Sequence, residues 1–112
     1  MARYDELVEK QRHAILDSQC ETDLALRRAV AARAAELGGG PAVGKGEIPE
    51  NLREYVDAIA LHAHRITDED VAALRRAGWS EDAVFEVSVA ASVGAGLSRL
   101  ERGLAVLRGG AR

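Results

Sequence analysis

Three side chains have the types and placement for acid–base work: Tyr55, His62 and Glu86. Tyr55, Ile59 and His62 follow one another at spacings of four and three, so they share one face of a helix. An imidazole on such a face can take and return a proton near neutral pH. Glu86 sits early in an otherwise apolar helical stretch. Burial there would raise its pKa and make it an acid or a base, and Tyr55 could add a hydroxyl to the same pocket. Each residue also has a plainer role. His62, His64 and Arg65 suit the negative end of a helix. Glu86 can be partly exposed or paired with an arginine, and Tyr55 can pack in a core with its hydroxyl at the surface.

The remaining reactive residues point to less. His62 and His64 stand two apart, so on a helix they diverge by about 200° and cannot chelate one metal as an i, i+4 pair would. Asp68, Glu69 and Asp70 are first-turn acids, where the helix dipole favours them without a metal. Cys20 is the only cysteine, which rules out an internal disulfide or a dithiol centre within one chain. With no activating cation beside it in sequence, it reads as a small buried hydrophobe, the alternative being a reactive thiol. Arg27, Arg28 and Arg33 read as a solvated face. The segment 38–46, with five glycines, Pro41 and Lys45, lacks the spacing of a phosphate loop and follows no strand. No cofactor and no metal are expected.

The elements that must position these residues are all helical. The pattern predicts a first helix over Tyr4 to Leu16, with Tyr4, Leu7, Val8 and Ile15 apolar, and a second over Asp23 to Leu37 behind Thr22 as cap. Leu24, Ala31, Ala34 and Leu37 face inward, and Gly38-Gly39-Gly40-Pro41 stops the helix. The glycine-rich stretch 38–48 reads as the one mobile loop. A third helix starts at Pro49 and carries the stripe Leu52, Val56, Ile59, Ala63. Thr67 and Asp70 form a weaker capping box, with Ile66 and Val71 as its staple. Gly78 ends that helix, and Ser80 caps the last one, with Glu81 and Asp82 in its first turn and Trp79 and Val84 as a second staple. The final helix lines up Phe85, Val89, Val93, Leu97, Leu100, Leu104 and Leu107, with Val84, Val87 and Ala91 widening the apolar surface. Gly94 and Gly96 predict tight packing, because a helical glycine costs about 0.8–1 kcal/mol relative to alanine. So apolar a helix in so small a domain predicts a subunit interface.

The chain has 112 residues, one domain's worth, and 47% hydrophobic content with only 4% aromatic. Its core must therefore be Ala, Leu and Val, which suits close-packed helices. A net charge of -3 gives no reason to expect nucleic acid or an anionic membrane as partner. No run approaches the roughly 20 apolar residues of a membrane span, and the first residues lack the basic-then-apolar build of a signal peptide. A soluble cytoplasmic protein is the expectation.

The segment from Thr67 through Ala77-Gly78-Trp79-Ser80 to Glu86 resembles the carboxymuconolactone decarboxylase and alkyl hydroperoxidase D (AhpD-like) superfamily. The likeness is good over about Ala63 to Leu107, within a family core of 61–108 in a single domain spanning 1–112. It is weaker over Leu52 to His62 and slight before that. The resemblance implies an all-α fold, here of about five helices with a long buried C-terminal helix, and assembly as a dimer, trimer or hexamer. The family's peroxidase branch carries Cys-x-x-Cys-x-x-x-His, with the histidine eight residues before the glycine. Counted back from Gly78, those positions hold Ala63, Ile66 and Asp70. A dithiol peroxidase needs both thiols, so that chemistry is not expected. Two functions remain open. One is a non-redox helical oligomer binding a partner or small ligand. The other is a cofactor-free enzyme of decarboxylase or lactone type, using His62, Glu86 and Tyr55 on a small organic acid.

Overall fold

The computed structural model describes residues 21–39 and 47–109, together with 6, 7, 9 and 10. The protein is all-α, with no strand among the described residues. Its helices are α1 (Leu24–Leu37), α2 (Glu50–His62), α3 (Asp68–Arg76) and α4 (Glu81–Leu107), with a 3-10 turn at Ala63–Arg65. Five helices were expected. The four named here are those described in full; of the N-terminal helix, residues 6, 7, 9 and 10 are described and are helical. Cys20 and most of the glycine-rich stretch lie outside the described residues.

The helix boundaries follow local chemistry. Thr67 Oγ1 accepts from the Asp70 N–H, and the Asp70 carboxylate accepts from the Thr67 N–H at 2.8 Å, closing a full capping box. The α3 helix ends in a Schellman motif: the Trp79 N–H reaches the Leu74 carbonyl and the Gly78 N–H the Arg75 carbonyl. That motif needs a left-handed residue, and Gly78 supplies it with φ +107°. The Ser80 hydroxyl then caps α4 through the Ala83 N–H at 3.0 Å. Thr67→Ala should lower stability by about 1 kcal/mol, read as a lower urea midpoint at unchanged slope.

Helices α1 and α4 make the most extensive contact among the described helices and run in the same direction. Thr22 meets Glu86 near their starts, Ala31 meets Gly94 midway, and Gly39 meets Arg102 towards their ends. The core between the helices is Val30, Ala34, Leu52, Val56, Val87, Ala90, Ala91 and Ala95, edged by Ile66, Val71 and Trp79. At Gly94 a Cβ would stand 2.3 Å from the Ala31 carbonyl oxygen, so only glycine admits this approach of two backbones. Arg33 of α1 holds Asp57 of α2 through two bonds of 2.9 Å. Arg99 of α4 donates to the Ala60 carbonyl near the end of α2, and Arg102 to the Gly39 carbonyl at 3.1 Å. Arg99 thus serves a carbonyl in the last turn of α2, and Arg102 serves one two residues past the end of α1.

Four expectations change. The side of α4 that carries its largest residues is not its buried side. Phe85 is 67% and Leu107 80% exposed, Val89, Val93, Leu97 and Leu100 are half-buried, and of that row only Leu104 is buried. The buried side is Ala83, Val84, Val87, Ala90, Ala91, Gly94, Ala95 and Ser98. Close approach of α1, itself lined with Ala29, Ala31 and Ala34, selects small residues over large ones. Gly96 is exposed, with no described atom within 4 Å of where its Cβ would be, so within one chain it does not pack tightly. Arg27 is buried at 2% exposure, and Arg33 is half-buried against Asp57; of the three arginines on α1, Arg28 is exposed. Finally, α4 is long and apolar enough to cross a membrane by length and composition, although no single run of apolar residues is. Its buried half is the centre of this core.

Candidate functional site

An open cleft of about 240 Å³ lies between α2, the 3-10 turn and α3. Asn51, Glu54, Tyr55 and Ala58 form its α2 wall; Arg65 and Ile66 come from the turn, and Asp70, Ala73 and Leu74 from α3. The floor is therefore apolar and the rim polar. Arg65 is exposed and makes no hydrogen bond or ion pair with the described residues, so its guanidinium is available to a ligand. Asp70 is already engaged by the cap on Thr67.

Tyr55 alone of the three acid–base candidates lines this cleft. Its side chain is buried, and its hydroxyl lies 2.7 Å from Ser88 Oγ. Ser88 directs its own proton to the Val84 carbonyl, also at 2.7 Å. A serine has one proton to give, so the Tyr55 hydroxyl donates and Ser88 accepts. The phenolic proton is thus committed to α4, while the phenolic oxygen can still accept.

Glu86 serves a different end of the molecule. Its carboxylate accepts from the Glu21 N–H at 2.9 Å, the Thr22 N–H at 2.7 Å and the Thr22 hydroxyl at 2.6 Å. These amides precede α1, and Asp23, at its N-cap, makes no side-chain cap bond. Glu86 therefore anchors the two residues leading into α1 from another helix. Burial pushes its pKa up, but the bonds from Thr22 and Glu21 and the positive Arg27 outweigh it, so the pKa is lowered overall. The group is held as an anion, contrary to the raised pKa expected from burial alone. Glu86 and Ser88 are two apart on α4 and so point about 200° from each other, which puts Glu86 and Tyr55 on different sides of that helix.

His62 is the last residue of α2 and is exposed. It does not line the cleft. The backbone leaves the α conformation at His62 (φ -145°, ψ 49°) and continues as the 3-10 turn. That change brings the His62 and His64 rings edge to face at 6.3 Å, where an uninterrupted helix would have turned them apart. Among the described residues no group of three His, Cys, Asp or Glu side chains could hold a metal. Ala63, Ile66 and Asp70 have structural roles: Ala63 opens the 3-10 turn, Ile66 packs on the core, and Asp70 closes the capping box.

Sequence reasoning missed Ser88, Asn51, Glu54 and Arg65 as residues that finish or line the cleft. Only Arg65 left a trace, as a cation in the short turn between two helices. The others acquire their place from how α2 meets α3 and α4. No family pattern, no curated protein and no solved structure matches this chain.

Proposed function

We propose that this chain is a non-redox helical binding protein that self-associates and takes a small ligand in the cleft between α2 and α3. The reading keeps the AhpD-like scaffold suggested by the Ala77-Gly78 stop and the Ser80 cap, without that scaffold's dithiol centre. The observation that supports it most is the separation of the acid–base candidates. Glu86 is an ionised anchor for the residues leading into α1, His62 lies outside the cleft, and Tyr55 has its proton committed to Ser88. What remains in the cleft is recognition chemistry: an exposed guanidinium, an amide, the carboxylates of Glu54 and Asp70 at the rim, and an apolar floor. That combination fits a small amphipathic acid whose carboxylate meets Arg65 and whose hydrogen-bond donors meet Glu54.

The test is a titration of isotopically labelled protein with a panel of small carboxylic acids and lactones. Saturable amide shifts confined to Asn51, Tyr55, Arg65 and Leu74, weakened at least tenfold by Arg65→Ala, are expected, with the added compound recovered unchanged. Turnover of a lactone acid that is lost in Tyr55→Phe or His62→Ala would make the protein an enzyme instead. Thiol-dependent peroxide turnover surviving Cys20→Ala would overturn the non-redox reading.

A further inference from the structure

Between Phe85 and Leu107 the outward face of α4 carries a stripe without charge. Measured around the helix from Gly96, the residues of that span within about 40° are Phe85, Val89, Ser92, Leu100, Gly103 and Leu107, with the exposed Asp82 continuing the same face beyond Phe85 and the exposed Arg99 flanking it at about 60°. None of the six is ionisable, in a chain that is 29% charged. The face runs from Phe85 to Leu107, about 33 Å at helical rise, and these two end residues are 67% and 80% exposed. A face of this length and character calls for a partner.

We infer that two copies of this chain pair antiparallel through this face, about a two-fold axis at Gly96. The inference rests on the self-association proposed above and names its surface. Positions on the face are symmetric about residue 96, so an antiparallel copy sets Phe85 against Leu107, Val89 against Gly103, Ser92 against Leu100, and Gly96 against itself. Large residues meet at both ends; between them each large residue meets a small one. This is the size complementarity that lets two helices interdigitate. At Gly96 and Gly103 no described atom stands within 4 Å of where a Cβ would be, which leaves room for a second backbone. The ends are compatible in charge: Asp82 is exposed in the first turn of one α4, and the last turn of the partner copy, Leu104 to Leu107, carries no acidic residue. A closed two-fold contact of this kind uses the same patch on both chains. One helix pair buries less than a standard interface of about 1,600 Å², so the dimer should be concentration-dependent, dissociating in the micromolar range.

Light scattering and sedimentation equilibrium from about 1 µM to 1 mM, on the full chain, read this directly. A reversible dimer is expected. Gly96→Ala should weaken it at least tenfold while leaving thermal stability at low concentration equal or higher, because one chain alone has room for the methyl. Phe85→Glu, at an exposed position, should weaken it similarly. In a Cys20→Ser background, Phe85→Cys and Leu107→Cys chains should cross-link to each other faster than either does to itself. A monomer at every concentration overturns both this pairing and the self-association reading. An oligomer indifferent to Gly96→Ala and Phe85→Glu overturns this face alone. A monomeric chain that shields Gly96→Cys from alkylation, or one that binds lipid vesicles through this face, overturns it in favour of another occupant.

Discussion

Gly94→Ala should destabilise the fold by about 2–3 kcal/mol, even though the same change in an isolated helix is favourable by about 0.8–1 kcal/mol. The added Cβ would lie 2.3 Å from the Ala31 carbonyl oxygen and 2.9 Å from its carbonyl carbon and Cα. All three are backbone atoms, so no rotamer change relieves the clash and α1 must move away from α4. That movement loosens the packing of Val30, Ala34, Ala90 and Ala91 and strains the bonds of Glu86 to Glu21 and Thr22. For a domain of this size the loss should lower the melting temperature by roughly 10 °C or more. Thermal and urea unfolding of Gly94→Ala and Gly96→Ala together give the sharpest comparison. The first falls and, at monomer concentrations, the second does not. Equal effects would mean that α1 and α4 do not meet at Gly94.

Glu86→Ala should cost about 2–3 kcal/mol, because it removes charge-assisted bonds to two backbone N–H groups and a hydroxyl just before α1. It also leaves buried Arg27 without the carboxylate that stands near it. The pH dependence follows from the direction of the shift. The folded pKa of Glu86 is lowered from its reference value of 4.5, so the folded state binds the proton less readily than the unfolded chain. The contribution is complete above that reference value and is lost as pH falls through the lower, folded value. Glu86→Gln should therefore be less stable than the parent by a constant amount from pH 7 down to about 5, with the two converging in more acidic solution. Parallel curves down to the lowest pH at which both still fold would mean that the fold does not hold Glu86 as an anion.

Much of this molecule was legible because it is local. The Thr67 and Asp70 box, the Gly78 stop and the Ser80 cap each involve residues within one turn of one another, so their chemistry is written in adjacent letters. The inward positions of α1 and α2 were legible in part. Ala31, Ala34, Leu52 and Val56 are buried as their spacing predicts, but α2 stops at His62 and leaves Ala63 exposed. Glu86 was recognisable as unusual, a carboxylate in an apolar stretch. Its partners are not, since Glu21 and Thr22 lie 65 and 64 residues away. The same distance in sequence hides the pairing of Arg33 with Asp57 and the reach of Arg99 and Arg102 to the Ala60 and Gly39 carbonyls.

Residue types and spacing alone establish that the chain is helical, where its last three helices begin or end, and that α4 is too apolar to be an ordinary surface helix. They also establish that Ala63, Ile66 and Asp70 cannot act as a dithiol peroxidase centre. Packing in three dimensions was needed to settle which side of α4 is inside, and with it the meaning of Glu86, Tyr55 and the two glycines. Periodicity reports that a helix has an apolar side, but when leucines and alanines share the surface it does not say which group a neighbour will meet. Here α1 approaches so closely that backbone meets backbone at Gly94. Alanines and glycines fill the interior, and Phe85 and Leu107 are left facing out.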